Sequence, residues 1–154
     1  MISDTATRVN ENTTAAANDA IRRHTEERVC YYASGGRDAI DLRLQELDRE
    51  WDIERALEAQ AAGVTLAALA LGVVKGRKWF LVPAGVAAFL LQHALQGWCP
   101  PLSLLRRLGF RTESEINCER YALKALRGDF GEVQPAADEH FHEKAAAALR
   151  AVDQ

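Results

Sequence analysis

Residues 59–95 read AQAAGVTLAALALGVV (Ala59–Val74), KGRK (Lys75–Lys78) and WFLVPAGVAAFLLQHAL (Trp79–Leu95). Two apolar runs of 16 and 17 residues around a short basic link predict a helical hairpin suited to lipid. The window from Ala59 to Leu105 holds no Asp or Glu, although 22 of the 154 residues are acidic. A charge at mid-bilayer costs about 2.5–3.5 kcal/mol on insertion scales, so a membrane solvent selects such a window. Each run taken alone could instead be the buried helix of a soluble bundle, since 16 residues at 1.5 Å rise cover only about 24 Å. Both runs, however, are apolar all round, and the remaining helices are too charged to cover them. Trp79 and Trp98 bracket the second run, where interfacial tryptophans belong.

Charge divides the chain in the same way. Residues 1–58 carry a net −5, residues 59–105 a net +3 and residues 106–154 a net −1. No flank is basic enough to make nucleic acid a partner. The opening MISDTATRVNENTT lacks a basic n-region and apolar core, which predicts no cleavable signal peptide. Cys30, Cys99 and Cys118 are few, odd in number and widely spaced, against a disulfide framework or zinc knuckle.

The fold class expected is all-α: a two-helix transmembrane hairpin flanked by amphipathic cytoplasmic helices. Residues 1–13 read as a disordered N-terminus and 14–58 as a cytoplasmic helical region. Within it, Ser34-Gly35-Gly36 ends a first helix, and a second runs from Arg37 into the membrane segment without a marked break. Ile40, Leu44, Leu47 and Trp51 form its apolar stripe, needing either Leu123 and Leu126 or the same stripe in a second copy. Residues 59–101 are the hairpin with its Gly97-Trp98-Cys99-Pro100-Pro101 stop, and 102–130 an interfacial segment and a helix. Thr112-x-x-Glu115 fits a capping box opening that helix at Glu113, with Gly128 as its C′ residue. Residues 131–154 read as a linker and an alanine-rich tail helix.

Few residues could carry chemistry. Cys99 has Arg106 and Arg107 one or two turns downstream, and nearby cations favour the thiolate that attacks sulfur. The plainer reading, a small apolar residue packed where a helix ends, is the preferred one. His93, with Gln92 and Gln96, reads as a hydrated histidine near one membrane face. Glu139-x-x-His142, with His140 beside it, is a single copy of a motif that di-iron bundles use twice, so no metal and no cofactor is expected. The acids between Glu46 and Glu54 point in successive directions and read as a solvated helical face. No nucleophile elbow, phosphate loop or dinucleotide fingerprint is present in the sequence.

The stretch LDREWDIER (Leu47–Arg55), the two apolar runs and HALQGWCPP (His93–Pro101) resemble the YgaP-like inner-membrane transmembrane family. RRLGFRT (Arg106–Thr112) and ALKALRGDF (Ala122–Phe130) resemble a proteobacterial subgroup with long helical flanks. The resemblance implies a two-helix membrane hairpin followed by a Gly-x-Cys-Pro element, here Gly97, Cys99 and Pro100. In some relatives the hairpin is fused to a rhodanese, which implies sulfane-sulfur handling. This sequence has no rhodanese-sized α/β stretch, so only Cys99 in its motif is carried over. The expected role is a non-enzymatic inner-membrane anchor or adaptor, multi-pass, with both termini cytoplasmic. Its expected partners are the lipid bilayer, a second copy of itself and a cytoplasmic protein. The alternative is a membrane thiol protein that handles sulfur or senses oxidants through Cys99.

Overall fold

A computed structural model describes residues 7–131 and 148–149. Seven α-helices are seen among them, and no strand: α1 (Arg8–Glu11), α2 (Ala15–Ser34), α3 (Arg37–Leu47), α4 (Ile53–Lys75), α5 (Leu81–Gln96), α6 (Pro100–Arg107) and α7 (Glu113–Arg127). The expected tail helix, with Glu139, His140 and His142, lies outside the described residues. The chain divides into two compact units. The first holds α1, the start of α2 and α4 through α6; the second holds the rest of α2, α3 and most of α7.

In the first unit α4 and α5 form the hairpin. Gly76 turns the chain with φ 121°, and a 3-10 turn (Arg77–Phe80) leads into α5. Phe80 lies so close over Gly72 that a Cβ there would sit 2.8 Å from its ring. Pro83 falls in the first turn of α5, where its missing N–H costs little. Both helices are long and apolar enough to cross a membrane. Only 17% and 6% of their apolar windows are buried within the protein, so the chain does not cover its own hairpin as a soluble bundle would. The 23 residues of α4 span about 34 Å, but the first six of them carry Glu54, Arg55 and Glu58, so the apolar part still falls short of a core of about 30 Å.

The helix expected to run from Arg37 into the membrane is broken. Asp52 takes an extended conformation, and its carboxylate accepts the Arg55 backbone N–H at 2.7 Å, capping α4. Aspartate competes with the helix for backbone donors, and that local bond outweighs the continuous run of helix formers. Asp52→Ala is expected to cost the first turn of α4 about 1 kcal/mol. Hydrogen exchange at the Arg55 amide should accelerate accordingly.

Few of the hairpin's small residues line the α4–α5 contact. Ala68 is buried, but Ala62, Gly63, Ala67, Ala70, Ala87 and Ala88 are exposed, and nothing lies within 4 Å of a Cβ built on Gly63 or Gly85.

In the second unit Ile40, Leu44 and Leu47 pack with Ile116 and Leu123, flanked by Val29 and Tyr32. The stripe is thus satisfied within one chain, although Leu126 is exposed. Trp51 is no part of it: Trp51 is itself exposed, its ring 4.5 Å from the Arg55 guanidinium. Beside this core Glu119 is 0% exposed. It accepts from Arg43 Nε at 2.8 Å and Arg28 Nε at 3.3 Å. Burial pulls the Arg43 guanidinium down, but its bonds to Glu119 and Glu46 outweigh that and hold it more firmly charged.

Candidate functional site

The turn after α5 is built around Gly97. Its φ of 73° is the left-handed C-cap that ends α5, its N–H bonded to the His93 carbonyl at 2.7 Å. A Cβ here would also stand 2.6 Å from the Arg8 carbonyl oxygen, so this glycine seats α1 as well as turning the chain. Trp98 is partly exposed; Cys99 is extended and 4% exposed; Pro100 and Pro101 open α6, where proline is pre-set for a helix start. Gly97, Cys99, Pro100 and Pro101 therefore each have a backbone role.

Cys99 packs with Val9, Ile53, Leu57 and Leu102, and Leu105 and Phe110 adjoin. Burial pushes its thiol up; the Leu102 backbone N–H partly offsets this, and the Glu54 carboxylate adds to it. The expected cationic help does not reach it. Arg106 is buried and turned to α1 and α2 instead, donating to Thr13 Oγ1 (3.2 Å), Asn10 Oδ1 (3.3 Å), Asn18 Oδ1 (2.8 Å) and the Phe110 carbonyl (3.0 Å). Arg107 points away from the core and is exposed.

His93 is 4% exposed rather than hydrated, because Glu54 from the first turn of α4 meets its Nε2 at 2.8 Å. Arg8 closes the cluster, donating to the other Glu54 oxygen at 3.0 Å. Among the described residues Arg8 Nε and His93 Nδ1 are buried without a hydrogen-bond partner, so the cluster is polar but not fully satisfied. Among the described residues no group of three His, Cys, Asp or Glu could hold a metal ion.

The N-terminal segment is the main departure from the sequence reading. Disorder was expected through residue 13, yet Val9 is buried in the Cys99 cluster. Asn12 Nδ2 donates to the Arg8 and Gln96 carbonyls, both at 2.8 Å, and Thr13 Oγ1 to the Val9 carbonyl at 2.7 Å. A lone valine among small polar residues gives no periodic signal, and the long-range side-chain bonds that order the segment reach 46 residues or more along the chain. Glu54 was legible only as one acid of a solvated helical face; Arg8, Asn10 and Asn18 carried no signal.

Against the lipid-facing side, Leu57, Val64, Val86, Phe89 and Leu90 line a half-open apolar groove of about 240 Å3 between α4 and α5. Cys99, Pro100 and Pro101 contribute to its lining.

Residues 52–115 match the family model described as the transmembrane domain of YgaP-like inner membrane proteins. No curated protein and no solved structure gives a significant match to the chain. The matched segment begins at the Asp52 cap, takes in both spans and the Gly97–Pro101 turn, and ends in the first turn of α7. With its spans bare of protein cover, this segment belongs to the YgaP-like inner membrane transmembrane family.

Proposed function

We propose that the protein is a non-enzymatic membrane anchor that self-associates through its hairpin and presents its charged helices to a cytoplasmic partner. One observation carries this reading. Ala59, Gly63, Ala67 and Ala70 of α4 fall at spacings of 4, 4 and 3, share one helix face and are all exposed. In lipid, where helices associate by close van der Waals packing, such a face suits a neighbouring helix better than it suits acyl chains. The flanks of the hairpin, with Arg43, Arg49, Arg55, Arg106, Arg107, Arg111 and Arg120, outnumber the three cations of the link, which favours cytoplasmic termini.

The competing reading makes Cys99 a working thiol, and its place in the lining of the apolar groove favours it. Its burial and raised pKa speak against a resting thiolate. Crosslinking in native membranes tests the first reading. Dimer or higher species should be captured with the natural chain and lost with Gly63→Leu or Ala67→Leu. Monomer alone, across several crosslinker lengths, would remove self-association. Cys99→Ser should leave insertion, crosslinked species and growth under sulfur stress unchanged; loss of that growth with assembly intact would install the thiol reading instead.

A further inference from the structure

The helix after the motif has two unlike faces. Leu102 and Arg106 are buried, which fixes how α6 is rolled. Leu104 and Leu108, four residues apart on the other side, are 59% and 66% exposed. Arg107 stands between them, exposed and without an ion-pair partner among the described residues. A helix this apolar on its outward side and cationic at its end suits the boundary between water and lipid.

Its depth follows from what holds it. Leu102 packs with Ile53 and Leu57 at the start of α4. Beyond α6 the chain returns to the same place, where the Ile53 N–H donates to the Arg111 carbonyl at 2.8 Å. The first turns of α4 carry Glu54, Arg55 and Glu58 and so mark where the span leaves hydrocarbon. Both ends of α6 are thus tied to that level, and three residues separate it from the end of α5. Exposed Trp98 sits in that connection, as interfacial tryptophans do.

We infer that α6 lies in the plane of the bilayer surface, with Leu104 and Leu108 in the upper acyl layer and Arg107 on anionic phospholipid headgroups. A protein occupant fits poorly: two leucines fall far short of the roughly 800 Å2 per partner that a stable interface buries. A lipid surface already covers the adjoining hairpin and needs no such area. The docking requires the hairpin to span the bilayer and is independent of self-association.

The test uses the full chain with exposed Cys30 and Cys118 replaced by serine and buried Cys99 retained. Single nitroxide labels go at positions 104 and 108, in vesicles of equimolar phosphatidylcholine and phosphatidylglycerol. Both labels should relax more readily with oxygen than with a water-soluble nickel chelate. Preference of the bound lipid shell for spin-labelled phosphatidylglycerol should fall about fivefold in Arg107→Gln, the equivalent of about 1 kcal/mol per basic side chain at an anionic surface. Arg107→Lys should retain it. Labels open to the chelate would place the face in water, and labels shielded from both reagents would place it against protein; either overturns the docking. Unchanged lipid preference in Arg107→Gln would overturn the role of the anionic headgroup.

Discussion

Glu119→Ala lowers the unfolding free energy of the α3–α7 unit by about 3 kcal/mol, at the lower end of the 3–5 kcal/mol that breaking a buried ion pair costs. The reason is the charge left behind. Arg43 is buried, and losing Glu119 strips its Nε of the 2.8 Å acceptor. The loss stays at the lower end because Arg43 keeps Glu46 at 2.9 Å and Glu50 at 3.4 Å. Urea titration in mild detergent, read by hydrogen exchange at α7 amides, measures it. Glu119→Leu combined with Arg43→Met should recover most of the stability, since hydrophobic replacement of both partners is often neutral or better. A Glu119→Ala loss below about 1 kcal/mol would mean the pair is solvated rather than buried.

Gly97→Ala is expected to release the N-terminal strap. A non-glycine residue in the left-handed region costs about 1–2 kcal/mol, and the added Cβ collides with the backbone of Arg8 at 2.6 Å. Backbone cannot swing aside as a long side chain can, so α1 must move. The steric part of the cost is capped by the free energy of docking α1, one short helix with one buried valine. Burial of that valine is worth about 1.5–3 kcal/mol, which sets a total of about 2.5–5 kcal/mol. The readout is Cys99. Once Val9 leaves its cluster the thiol is uncovered, and alkylation by a membrane-permeant maleimide should accelerate at least tenfold, with Cys30 and Cys118 replaced. An unchanged rate would show that α1 does not cover Cys99.

This strap also explains what the Gly-x-Cys-Pro element does here. Gly97 supplies the left-handed turn and the seat for Arg8, Cys99 fills the core beneath, and Pro100 starts α6. Arg106 then clasps Asn10, Thr13 and Asn18 from below the motif. These are packing roles, and they account for a cysteine whose surroundings raise rather than lower its pKa.

What the sequence determined by itself is what rests on short-range pattern. The acid-free window, the two apolar runs and the basic link fixed the hairpin, because solvent preference acts residue by residue. Gly36, Gly128 and the Thr112–Glu115 region placed helix ends at Arg37, Arg127 and Glu113, because termini depend on the few residues that flank them. Tertiary structure decided whatever required partners distant in the chain. Arg8 and Asn12 are ordered by Glu54 and Gln96, His93 is dried by the same Glu54, and Arg106 is drawn from Cys99 to the asparagines. A polar side chain looks solvated in sequence until a specific acceptor is brought to it, and desolvation with a partner costs far less than without one. That is why the membrane hairpin was legible in the residues and the buried polar cluster at its end was not.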